Sequence, residues 1–100
     1  MEYIVRVIHT VVLSRSVAKG LRKLPQHVAE KLHGWVAAVE AYGLEEVRKV
    51  PGYHDEPLRG ERAGQRSIRL SKAYRALYRV EQDRVEVEYV HVFEVNKHDY

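Results

Sequence analysis

Residues 3–12 are dominated by β-branched side chains over a run too short for a good helix, which predicts a strand. Ser14 or Ser16 can then cap a helix, with Val17, Leu21 and Leu24 following at helical spacing. Gly20 lowers the helix propensity of that segment by up to about 1 kcal/mol relative to Ala, so a short helix is expected. Pro25 suits the first turn of a second helix, where its missing N–H costs nothing. Val28, Leu32, Trp35, Val36 and Val39 form one apolar stripe along it, and Gly43 marks its end. Residues 44–50 are expected to add a turn or two. The two helical stretches together predict a helical hairpin.

Residues 51–64 have no period and contain two prolines and three glycines. A connection of that length in a compact domain is usually functional or mobile. Three strands are expected after it, over residues 65–71, 74–80 and 84–93. Lys72-Ala73 separates the first two at tight-hairpin spacing, and Gln82-Asp83 turns the chain into the third. In the last strand the Val85-Val87-Tyr89 alternation gives way to Val90 and Val92 on the opposite face, which predicts a strand covered on both sides. Residues 95–100 read as a polar tail. The order is βααβββ, an α+β domain in which a helical hairpin packs on one face of a mainly antiparallel four-stranded sheet. Residues 1–100 are expected to form one domain.

The chain has 100 residues and no cysteine, which removes disulfides, thiolate metal sites and cysteine nucleophiles and points to an intracellular address. It has no apolar run long enough to span a membrane, and its first twelve residues do not read as a secretory signal. The net charge of +3 conceals an uneven distribution. Residues 59–79 carry Arg59, Arg62, Arg66, Arg69, Lys72, Arg75 and Arg79 against Glu61 alone, a local charge of +6. Residues 81–94 carry Arg84 against Glu81, Asp83, Glu86, Glu88 and Glu94, a local charge of −4. Arginine outnumbers lysine eleven to six, and its planar fork suits bidentate contact with phosphate.

The histidines, at 9, 27, 33, 54, 91 and 98, show neither helical nor strand ligand spacing beside a carboxylate set, so neither metal nor cofactor is expected. Gly60 and Gly64 lack the Lys-Ser/Thr of a phosphate-binding loop, and Ser67 and Ser71 lack the glycines of a nucleophile elbow. The basic block is the stronger signal. In a strand Arg66, Ile68 and Leu70 point one way and Ser67, Arg69 and Ser71 the other, while Arg75, Leu77 and Arg79 oppose Tyr74, Ala76 and Tyr78. Arg69 and Arg75 converge only if the hairpin register puts them on one face. Tyr53, Tyr74, Tyr78 and Tyr100 interleave with the block, a composition suited to single-stranded RNA, although Tyr78 reads better as core.

The tail carries Lys97, His98, Asp99 and Tyr100 together. Cleavage of RNA without metal needs a base for the 2′-OH, cations for the phosphate and an acid for the leaving 5′-oxygen. Glu56 or His98 can serve as base, Arg75 and Arg69 as cations, and His98 or Tyr100 as acid.

Three segments carry a family resemblance: Glu56-Pro-Leu-Arg59, Gly64-Gln-Arg-Ser-Ile-Arg-Leu-Ser-Lys-Ala-Tyr-Arg-Ala-Leu-Tyr78, and Asn96-Lys-His-Asp-Tyr100. Together they resemble the RelE/ParE toxin superfamily, most of all its HigB- and YoeB-like members. The element order agrees over the whole chain, while the motifs lie in its second half. The resemblance implies a cytoplasmic endoribonuclease that cuts mRNA in the ribosomal A site and is blocked by a separately encoded antitoxin, often of helix-turn-helix type. It implies that Arg75 stabilises the transition state, that Glu56 is a base, and that His98 and Tyr100 complete the catalytic set. Arg59 and Arg69 match positions that contact phosphate, and Arg62, Arg66, Lys72 and Lys97 extend that basic set. The chain departs from a His-Tyr ending by placing Asp99 between His98 and Tyr100, which leaves the acid open between them. ParE-like members share the fold, poison gyrase and lack this set, so a non-catalytic gyrase inhibitor or basic interaction protein is the alternative.

Overall fold

The structure, a computed structural model, describes residues 7–92. Strand β1 (Thr10–Leu13) leads into helix α1 (Arg15–Gly20), which continues as a 3₁₀ turn over Leu21–Lys23. Ser14 makes that junction. Its Oγ accepts from the Val17 N–H at 3.2 Å and donates to the Glu88 carbonyl at 3.0 Å, so one side chain caps α1 and ties it to the sheet. The helix stops at Gly20, as the glycine predicts.

Helix α2 (Gln26–Tyr42) begins directly after Pro25 and buries Val28, Leu32, Trp35 and Val39, the expected stripe. It ends where Gly43 takes a positive φ of 88° and donates its N–H to the Val39 carbonyl at 2.8 Å. The next amide, on Leu44, bonds to the Ile8 carbonyl at 2.9 Å, and the chain turns into α3 (Leu44–Arg48).

Strands β2 (Glu56–Pro57), β3 (Arg66–Arg69), β4 (Tyr74–Glu81) and β5 (Arg84–Val92) follow. Among the described residues the sheet has five strands in the order β1-β5-β4-β3-β2, with β1 parallel to β5 and every other pairing antiparallel. The extra strand is β2, hidden in a stretch whose prolines and glycines mask any alternation. It is two residues long and sits at an edge, where Pro57 interrupts no ladder. Gln82 and Asp83 both take positive φ, 51° and 65°, which is the backbone of the two-residue hairpin turn the sequence placed there.

One face of the sheet is covered. Ile68, Leu70, Ala76, Tyr78, Val85 and Val87 form a continuous core with Val17 of α1, the α2 stripe, and Leu44 and Val47 of α3. Trp35 and Tyr78 meet at its centre, rings 5.1 Å apart and tilted by 46°. The expectation that β5 is covered on both sides is corrected by a bulge. The register of β4 with β5 shifts between Leu77, opposite Tyr89, and Tyr78, opposite Val87, leaving Glu88 as the additional residue. That insertion moves Val90 to the core side with Val85 and Val87, and it sends Tyr89 to the other face, where the residue is half exposed. The reversal of the apolar pattern at residue 90 is a phase shift and not a second buried face.

Candidate functional site

The face away from the helices carries the basic residues. Across β3 and β4, Ser67 pairs with Leu77 and Arg69 with Arg75, while on the other side of β4 Arg75 pairs with His91 of β5. Arg69, Arg75 and His91 therefore form one row over three strands. The register that the sequence left open does bring the two arginines together. Like charges placed directly opposite are destabilising, so Arg75 needs a counter-charge.

Glu56 supplies it. Arg75 Nη1 stands 3.4 Å from Glu56 Oε1 and donates to Ser67 Oγ at 3.1 Å. The Arg75 side chain is only 17% exposed whereas that of Glu56 is 60% exposed, so a fixed guanidinium lies beside an accessible carboxylate. Glu56 is positioned by the strand alternation around it. It is paired with Ser67 in β2 and shares the open face, and Asp55, one residue earlier, goes to the other side. There the wholly buried Asp55 carboxylate accepts from Arg66 Nε at 2.6 Å and from the Tyr78 hydroxyl at 2.5 Å. The inward anchor thus sets the outward group.

That anchor accounts for Arg66, which lies on the helix side, paired with Tyr78 in the ladder, and serves the core and not the open face. Burial weakens the Arg66 cation, but the hydrogen bond and charge of Asp55 more than offset this and raise its pKa. Tyr78 is fully buried as core, and burial, with the hydrogen bond to Asp55, pushes its hydroxyl far above the ordinary tyrosine value. Tyr53 and Tyr74 also pack against the core, and Lys31 Nζ lies 4.8 Å from the Tyr53 ring centre.

Further along the open face, Arg79 Nε donates to Glu88 Oε1 at 2.9 Å, and Gln65 Nε2 donates to the same oxygen at 2.6 Å. Burial would raise the Glu88 carboxyl; the bonds from Gln65 and Arg79 and the charges of Arg79 and Arg62 outweigh it and hold the group below its usual value. Glu86 pairs with Arg84 at 2.8 Å. The acidic strand thus faces Arg79 and Arg84, at the end of the hairpin away from Arg69. Arg59, Arg62 and Lys72 are exposed, Arg59 and Arg62 on the connection before β3 and Lys72 in the β3–β4 loop. Lys97, His98 and Tyr100 lie outside the described residues.

Sequence reasoning missed His91, Tyr89 and the Gln65–Glu88 pair. Tyr89 and His91 take their places on the open face through the bulge in β5, and Gln65 reaches Glu88 from just before β3. A phase reversal in the apolar pattern beside a charged residue was the available signal.

Solved structures share this arrangement of elements. A RelBE toxin–antitoxin complex from Mycobacterium tuberculosis aligns at 25% identity and a TM-score of 0.62, covering 86% of this chain and 99% of the other. A YoeB/ParE toxin from Agrobacterium tumefaciens aligns at 20% identity and a TM-score of 0.60, covering 85% and 99%. An archaeal RelE–RelB complex from Pyrococcus horikoshii gives 21% identity, a TM-score of 0.66 and coverage of 85% and 94%. No protein-family model matches the chain, and no curated protein does. The chain thus has the fold of the RelE/ParE toxins, with RelE- and YoeB-type structures as its neighbours. Among the described residues no helix is long and apolar enough to cross a membrane.

Proposed function

We propose that the protein is the toxin of a type II toxin–antitoxin system and acts in the cytoplasm as a metal-independent, HigB-like endoribonuclease on mRNA in the ribosomal A site. The observation that carries this reading is the row Arg69–Arg75–His91 on the uncovered face, with the Glu56 carboxylate 3.4 Å from Arg75. A base and a cluster of cations at one point of an open sheet suit phosphodiester cleavage better than a passive basic surface does. Glu56 takes the proton of the 2′-OH, and its oxygen attacks the adjacent phosphorus. The bond from phosphorus to the 5′-oxygen then breaks, leaving a 2′,3′-cyclic phosphate and a 5′-hydroxyl. Arg75 faces the charge growing on the phosphate oxygens, and Arg69 adds a second guanidinium. Arg59, Arg62, Lys72 and Lys97 hold neighbouring phosphates. His98 or Tyr100 protonates the leaving oxygen, with His98 also the alternative base.

The partner is a separately encoded antitoxin, of helix-turn-helix type in the HigB-like case; two of the similar structures are complexes of a toxin with its antitoxin. Induction of the wild type in bacterial cells is expected to arrest growth, and Arg75→Ala or His98→Ala to relieve the arrest with the fold intact. Undiminished arrest by both variants would overturn the assignment. Arrest accompanied by DNA damage in place of cut transcripts would favour a ParE-like gyrase inhibitor.

A further inference from the structure

Tyr89 is a large aromatic side chain left 50% exposed on the face that carries Arg75. It lies two residues before His91 on β5 and directly across from Leu77, one row from the Arg69–Arg75–His91 row. The Arg62 guanidinium lies over its ring, 5.2 Å from the centre. This pair is built, not incidental. Arg62 Nη1 donates to Gln65 Oε1 at 3.2 Å, the buried Gln65 donates to Glu88, and Glu88 accepts from Arg79 as well. The bulge makes this possible, because it puts Glu88 and Tyr89, neighbours in sequence, on the same face.

Planar tyrosine and guanidinium surfaces are what unpaired bases stack on, whatever their identity. A cation held over an aromatic ring by a hydrogen bond to a buried glutamine is preorganised for that contact. The geometry points to a base-stacking subsite at Tyr89 and Arg62, which seats an unpaired RNA base one row along the sheet from the phosphate at Arg75. This inference rests on the RNA-cleaving reading and assigns Arg62 a stacking role in addition to its charge.

The test is a titration of the purified full chain with a 2′-O-methyl RNA oligonucleotide containing 2-aminopurine, which cannot undergo 2′-OH attack and is quenched when its base stacks. Wild type is expected to bind with quenching at low salt. Tyr89→Phe keeps both, while Tyr89→Leu loses the quenching and weakens binding by about 5- to 150-fold. Arg62→Lys, which keeps the charge but not the plane, also reduces the quenching. Tyr89 is half exposed, and unchanged circular dichroism and melting of each variant exclude a folding effect. Wild-type affinity and quenching in Tyr89→Leu, with binding lost in Arg75→Ala, would overturn the stacking site and leave the phosphate site standing. Failure of the wild type to bind the oligonucleotide would overturn the inference, while the reading beneath it falls only if the wild type also leaves ribosome-bound message uncut.

Discussion

Arg69 and Arg75 face each other across the β3–β4 ladder, on the side of the sheet opposite the described helices. A pairing that places two guanidiniums in register is unfavourable by itself. In this chain it coincides with a carboxylate on the edge strand and a histidine on the next strand, and in the proposed function the two guanidiniums meet a phosphate. If that is its purpose, removing one arginine improves stability slightly or leaves it unchanged while abolishing function. Arg69→Ala is expected to shift the urea midpoint by less than about 0.5 kcal/mol equivalent and to relieve growth arrest in cells. A strongly destabilised Arg69→Ala would mean that the residue is structural.

Asp55 is the hinge between core and site. Its buried carboxylate holds Arg66 and the Tyr78 hydroxyl, and the next residue is Glu56. Asp55→Ala leaves the half-buried Arg66 guanidinium and the buried Tyr78 hydroxyl without their acceptor and is expected to cost about 2–4 kcal/mol in denaturant unfolding. Asp55→Asn keeps the acceptor oxygen and costs less. A loss below about 1 kcal/mol for Asp55→Ala would contradict the network as described.

Alkaline stability follows from Tyr78. Burial and the bond to Asp55 raise its folded pKa, so the neutral phenol is the form the fold favours. That contribution is fully present below the unfolded tyrosine value of about 10 and declines as pH rises beyond it, because the unfolded chain ionises first. The urea midpoint of the wild type should fall from about pH 10 upward more steeply than that of Tyr78→Phe. Parallel curves for the two proteins would exclude Tyr78 as the source.

Two glycines are expected to behave oppositely. Gly34 lies in α2 with open space around an added Cβ, so Gly34→Ala should stabilise by about 0.5–1 kcal/mol through helix propensity. Gly43 takes a φ of 88°, and a Cβ there would collide with Val7 Cγ1. Gly43→Ala is expected to lower the melting temperature, and thermal unfolding of the pair checks both signs.

The elements that pack were legible because their signals are local: the stripe of α2, the cap at Ser14, the glycine after Tyr42 and the turn at Gln82-Asp83 each act within a few residues. Glu56 and Arg75 stood out as chemistry, and their meeting was not visible, since it depends on the register of two successive ladders, β2 on β3 and β3 on β4. The strand β2 was hidden because two residues carry no period. Arg66 looked like one more surface cation; only the inward turn of Asp55 shows why it belongs to the core. Tyr89 was misplaced and His91 overlooked for a single reason, the bulge at Glu88, which inverts the face of everything after it in β5.

The most direct test of RNA cleavage by the Arg75 face is an in vitro translation reaction on purified ribosomes, with the mRNA ends mapped by primer extension after the full chain is added. The wild type is expected to cut within the codon held in the A site and to leave a 2′,3′-cyclic phosphate, and Arg75→Ala to leave the message whole. An intact message with the wild type, or the same cut with Arg75→Ala, would contradict it.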